Sequence, residues 1–292
     1  MIFRTFCFPA ALLIVAAAAL GCAAAAVTDE PSPGHTVTVF AAASLADSLP
    51  AVADAFEAEN PGVDVVFNFA GSQTLRTQLE HGASADVFAS ANWEHMASVK
   101  QAELLGNTPE YFAANRLVVA TPADSTAVQT LEDLARPGVS VAVASKEAPA
   151  GAYTLNALDL MAESPDFPDD FAVAVLANVV TNETNVRAVA QKVVLGEVDA
   201  GLIYETDAAA SQYAGSFRLI EIPLQFNPAA QYPIASLTTA VHPEVAEAFI
   251  AFIQSDAGQA ILRDHGFAPP TNVACPCGRA ITDVGLVVTP RL

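Results

Sequence analysis

Short apolar stretches alternate with helix-period segments along almost the whole chain, and this alternation limits the fold more than any other feature. "VTVFAA" (Val37–Ala42) reads as a strand. Leu45, Leu49, Val52, Ala53 and Phe56 then recur at helical spacing. "VDVVFNFA" (Val63–Ala70) is a strand again, "TLRTQLEHG" a helix closed by Gly82, and "ADVFASA" (Ala85–Ala91) a strand. After a looser region, "RLVVATP" (Arg116–Pro122) restarts the rhythm. It continues through "VSVAVAS", "AGAYTLNALDLM", "VRAVAQKVVLGEVDAG", "AGLIYETDAAA" and "FRLIEIP". Two helices split by "SDAG" close it. Repeated β-then-α units build open, mainly parallel α/β sheets. Two such units with a late return predict an α/β protein of two lobes, joined by two crossing strands, with a cleft between them. The crossings are expected near Asn115–Thr121 and Gln231–Thr238. Residues 36–115 plus 238–270 then form the first lobe, and residues 116–237 the second. A tail, 271–292, falls outside the pattern.

The chain's 292 residues suit two lobes of ordinary size, and a hydrophobic content of 53% supplies their cores. Basic residues number 12 against 32 acidic ones, a net charge of −20. Such a surface repels phosphate backbones and excludes nucleic acid as a partner. It also repels small anions at long range, so any anion site here must rely on local dipoles.

Residues 1–22 read as an export signal: Arg4 supplies the positive end, and Phe6–Leu20 is apolar except at Pro9. At roughly 15 residues that run is short for a membrane span. "ALGC" ends it in the small-residue-then-cysteine pattern of a lipoprotein signal, which makes Cys22 the expected lipidation site. An ordinary cut near Ala26 is the alternative. Residues 23–35 form a flexible tether. Cys275 and Cys277 make "CPC" in the tail, where two soft ligands alone are a weak metal signal and an incidental pair is the simpler reading.

The chemistry concentrates where strands hand over to helices. Ser44 follows the first strand and Ser72, in "AGSQTL", the second. "APAGAY" and "TNETNV" stand at two later handovers. Helix N-termini leave backbone N–H groups unpaired and carry about half a positive charge. Converged on one spot, they form an anion site without a cation. Capping accounts for either serine taken alone. Pro50 interrupts any helix begun at Leu45, so residues 44–50 should form a bent or broken first turn, with Ser48 an alternative cap.

These residues carry a resemblance. "VFAAASLADSL", "FAGSQTLRTQLEHGASADVFASA", "PAGAYTLNAL", "NVRAVAQKVVLGEVDAGLIYETDA" and "AFIAFIQSDAGQAILRDHGF" resemble the molybdate-binding proteins of ABC importers, within the type II periplasmic binding proteins. The likeness runs in order over about residues 36–268. It implies two Rossmann-like lobes joined by a two-strand hinge, closing on a tetrahedral oxyanion. Carried over position by position, it implies hydroxyl donors at Ser44 and Ser72, backbone N–H donors at Ala150 and Val186, and a phenol donor at Tyr204. It implies molybdate or tungstate as ligand, no cofactor, no further metal, and a monomer serving the permease and ATPase subunits of an importer. The chain departs from the family at "AGSQT", where a serine run is usual, at Pro50, and in the "CPC" tail.

The residues agree with that implication. A dianion has only acceptors, so a site built only of donors matches it. Charge-assisted hydrogen bonds contribute about 1.5–3 kcal/mol each. Neutral donors also avoid burying a cation that would need compensation. Arg76 and Arg187, on the same helices as Ser72 and Val186, are expected on solvated faces. Asp86 is expected in a structural hydrogen bond, because a carboxylate beside an anion is costly. Tyr204 is either a core tyrosine or a cleft residue, and its place at a strand end favours the cleft.

Other readings are weighed beside this one. A sulfate or phosphate binder stays in the same class. A metal-handling lipoprotein would use the "CPC" tail, but no Met or His cluster supports it. A hydrolase would need a nucleophile and base. His35, His81, His95, His242 and His265 fall in no HExxH pattern, and no GxSxG surrounds a serine. Without a Walker motif, ATP hydrolysis belongs to a partner.

Overall fold

The computed structural model describes residues 34–270. The expected signal, tether, Cys22 and the "CPC" tail lie outside the described residues. In chain order the regular elements of the first half are β1 (His35–Ala42), α1 (Ser48–Glu59), β2 (Val63–Ala70), α2 (Ser72–Glu80), β3 (Val87–Ala89), α3 (Trp93–Gln101), β4 (Glu110–Asn115) and β5 (Leu117–Pro122). Next come β6 (Val141–Ala144), α4 (Pro149–Ala162), α5 (Phe171–Ala177), β7 (Val179–Glu183), α6 (Val186–Val194), β8 (Ala200–Tyr204) and α7 (Glu205–Ala209). The chain ends in β9 (Phe217–Glu221), β10 (Ala230–Ser236), α8 (Pro243–Gln254) and α9 (Asp256–Asp264).

The strands form two mixed five-stranded sheets, ordered β2-β1-β3-β10-β4 and β7-β6-β8-β5-β9. In the first, β1 runs parallel to β2 and β3, while β10 lies antiparallel between β3 and β4. In the second, β6 is parallel to β7 and β8, and β5 is antiparallel to β8 and β9. Helices cover both faces of the first sheet, which is why β1 is buried on both sides. Val37, Val39 and Ala41 pack with Leu49, Phe56, Phe249 and Ile253 of α1 and α8. Phe40 points the other way, onto Leu75 and Leu79 of α2 and Met96 of α3.

Only Arg116 separates β4 in the first sheet from β5 in the second. The return crossing lies between Glu221 and Ala230, earlier than expected near 231–238. Residues 230–236 therefore belong to the first sheet and not to the second lobe. The sequence obscures this because Pro233 suggests an edge or the end of a strand. Here the ladder shifts register between Tyr232 and Pro233, and that irregularity accommodates the missing N–H. Asn227 ties the two crossings together: its Oδ1 accepts from Leu117 N–H at 3.1 Å and its Nδ2 donates to Leu117 O at 2.8 Å.

The segment after β1 is broken as Pro50 requires. Ala43–Leu45 form one 3-10 turn, and α1 starts separately at Ser48, with Asp47 at its N-cap and Pro50 in its first turn. A proline there costs no intrahelical hydrogen bond. Ser48 is the first helical residue rather than the cap. Asp86 has the structural role expected of it, accepting from Thr38 N–H and Val241 N–H, both at 2.7 Å.

Candidate oxyanion site

Ser44, Ser72, Ala150, Val186 and Tyr204 all line one hollow between the lobes. Ser44 and Ser72 come from the first lobe, the other three from the second. The remaining lining is alanine, glycine, proline and Asn185, so no lining side chain carries a charge at neutral pH. Small side chains let the main chain of each element come close. The hollow leaves ≈ 20 Å3 for the centre of a water molecule, a sphere of roughly 3 Å radius once water's own radius of about 1.4 Å is added. A compact tetrahedral ion fits such a space; a sugar or peptide does not.

Several helix ends at the hollow keep backbone donors open. α2 and α4 begin at Gly71 and Ala148, with no side-chain cap. The turn carrying Ser44 follows Ala42 and also lacks one. Asn185 caps α6 through Ala188 N–H at 3.1 Å, which leaves the preceding N–H of Val186 unclaimed by the cap. Donors left open at converging N-termini suit an anion.

The hydroxyls are oriented by their neighbours. Ser72 Oγ accepts from Ala91 N–H at 3.0 Å, which leaves its own proton to donate. Ser44 Oγ lies 2.9 Å from the Tyr232 hydroxyl. Asn115 Nδ2 reaches that hydroxyl at 3.5 Å and donates to Thr206 Oγ1 at 2.7 Å. Either hydroxyl can donate in the contact between Ser44 and Tyr232; when Tyr232 donates, the Ser44 proton is left for the hollow. The Tyr204 hydroxyl is buried and makes no hydrogen bond among the described residues. Burial, then the neighbouring Tyr232, pushes the Tyr204 pKa well above the ordinary phenol range. Burial raises Tyr232 likewise. Both phenols thus keep their protons at neutral pH.

Arg76 pairs with Glu80 one turn along α2. Arg187, expected on a solvated face, is instead largely buried and bonded to Asp47 of the first lobe and Asp207 of the second. Its aliphatic neighbours Val186 and Val189 are core residues, so the helix turns less of its surface to water than its polar residues suggest. Burial works to lower the Arg187 pKa, but Asp207 and Asp47 outweigh it and move it up. Burial pushes Asp207 up to about 6 in spite of Arg187. Asp207 is thus the member that titrates first, and the pair is ionised at neutral pH. Sequence reasoning missed Tyr232, which meets Ser44 only through the fold, and Asn115, which reaches Tyr232.

Two lobes, a two-strand crossing and an uncharged donor-lined hollow define a solute-binding protein. The profile of the bacterial extracellular solute-binding protein family matches residues 37–268, and the chain belongs to that family. It is 38% identical over 242 residues to the molybdate-binding protein ModA of Mycobacterium tuberculosis H37Rv, covering 82% of this chain and 87% of that one. It is 32% identical over 267 residues to ModA of Escherichia coli K12, covering 88% and 97%. Among solved structures it is similar to the Azotobacter vinelandii periplasmic molybdate-binding protein, with a TM-score of 0.70, 17% identity and coverage of 80% and 100%. The sulfate-binding protein SubI of M. tuberculosis H37Rv is also similar, with a TM-score of 0.72, 22% identity and coverage of 83% and 89%. At those identities the solved structures show a shared fold alone. The family is extracytoplasmic, and among the described residues no helix is long and apolar enough to cross a membrane.

Proposed function

We infer that this chain captures molybdate or tungstate outside the cytoplasm and delivers it to the permease and ATPase subunits of an ABC importer. One observation carries the reading: donors from both lobes, and no charged side chain, line a hollow of tetrahedral-ion size. Ser44 and Ser72 give hydroxyl protons, Ala150 and Val186 backbone N–H groups, and Tyr204 its phenol. Each of these groups donates and none offers an acceptor to a ligand proton, so a fully deprotonated dianion is favoured over a protonated one. Binding draws both lobes onto one ion and favours the closed form. The ModA relatives support the choice of ligand. The protein acts as a monomer without catalysis, exported by residues 1–22 and anchored through lipid on Cys22.

Calorimetry of the purified protein with molybdate, tungstate and sulfate tests this. Molybdate and tungstate, nearly equal in size, bind tightly and alike; smaller sulfate binds scarcely. Preference for sulfate or phosphate would move the protein to another oxyanion, and no heat with any of them would overturn the site.

A further inference from the structure

Beside the hollow lies a second cavity of ≈ 520 Å3 that shares Ser44 with it and is lined also by Asp47 and Arg187. Arg187 Nη2 donates to Asp47 Oδ2 across the lobes. Its Nε lies 2.6 Å from Asp207 Oδ1, and Asp207 Oδ2 accepts from Tyr204 N–H at 3.3 Å. Each member of this chain stands within one turn of a group at the hollow: Asp47 follows Ser44 by three residues, Arg187 follows Val186, and Asp207 follows Tyr204 by three. The Asp207 side chain is 0% exposed, that of Arg187 13% and that of Asp47 34%. Among the described residues, Arg187–Asp47 is the only ion pair that joins the two lobes.

The geometry points to Asp47–Arg187–Asp207 as an ionic latch that holds the lobes closed and sets how long the ligand stays, with Asp47 and Arg187 as positioning residues that never touch it. Asp207 keeps Arg187 paired when the lobes part, so opening gives up only the contact to Asp47. The latch can therefore engage and release without stranding a buried charge. It lies outside the hollow, so it acts equally on every ion the hollow accepts. It changes residence time and leaves selectivity alone.

This inference rests on the oxyanion reading for its ligand but not for its closure. Asp47→Asn is the suitable variant, because asparagine caps α1 as well as aspartate does and Asp47 makes no side-chain cap bond there. The expected result is a dissociation rate for molybdate raised about tenfold, and for tungstate by the same factor. Sulfate discrimination should not change, and Asp47→Glu should restore much of the loss. Added NaCl should speed release from the wild type more than from Asp47→Asn. An unchanged release rate in Asp47→Asn overturns the latch. X-ray scattering of the ligand-free proteins decides it independently: Asp47→Asn should have the larger radius of gyration, and identical radii overturn the latch. If the wild type binds none of the oxyanions, the ligand reading fails while the scattering comparison still tests closure.

Discussion

At the scale of single residues, His95 gives the clearest pH dependence. It sits on α3, buried, and its Nε2 donates to Glu147 O in the other lobe at 2.8 Å. Its Nδ1 is buried without a partner among the described residues. Protonation would place a donor there with nothing to accept it. Burial therefore lowers its pKa below the ordinary 6.5, against the opposing pull of the Glu147 carbonyl and of Glu94, with Glu80 also raising it and Arg76 lowering it. For a base depressed in the folded state, the stabilisation is complete above about pH 6.5 and is lost as pH falls through the lower folded value. The wild-type melting temperature should fall from about pH 7.5 to about 5.5 more than that of His95→Gln. Asp207, raised to about 6, acts in the opposite sense: protonation favours its folded form as pH falls. It is common to both proteins, so their difference isolates His95. Parallel curves would mean that His95 stays neutral throughout.

At the scale of elements, the N-terminus of α2 is both a donor to the hollow and a surface on which the lobes meet. Gly71 has φ −59°, which alanine adopts freely. A Cβ added there would lie 2.5 Å from Thr184 O, a backbone atom of the other lobe. The Gln73 side chain, equally close, can swing aside, but the carbonyl cannot. Gly71→Ala should block full closure and weaken molybdate binding roughly tenfold, given the usual cost of overpacking. The variant's ligand-free stability should hold or rise slightly, because alanine restricts the unfolded chain. Calorimetry beside thermal melting separates these outcomes, and a variant that melts early would make the glycine a folding requirement instead. The same elements show what a sequence can reveal. Ser44, Ser72 and the "PAG" turn are local signals, since capping and strand-to-helix handover are written within a few residues. The placement of β10 is not local. Its neighbours β3 and β4 lie far back in the chain, and Pro233 gives a misleading sign. Tyr232, 188 residues from Ser44, aims the Ser44 hydroxyl only after the lobe has folded. Arg187 looks like any cation on an amphipathic helix, and its two carboxylates come from two different lobes.

At the scale of the whole molecule, the site and the surface pull in opposite directions. The chain's formal charge is −20, while the hollow holds no charge to attract a dianion. The long-range field therefore opposes approach, and the hydrogen bonds act only on contact. Salt screens the first and barely touches the second, because the screening length shrinks from roughly 30 Å at 0.01 M to about 8 Å at 0.15 M. The association rate of molybdate should therefore rise as NaCl increases over that range, the reverse of a site steered by lysines or arginines. Stopped-flow measurement at several NaCl concentrations tests this, with chloride competition checked by holding ionic strength constant with a bulkier anion. A rate that falls with salt would mean that a local positive potential guides the ion in. Arg187 is the nearest candidate for that role, and its two carboxylate partners leave it little free charge to offer.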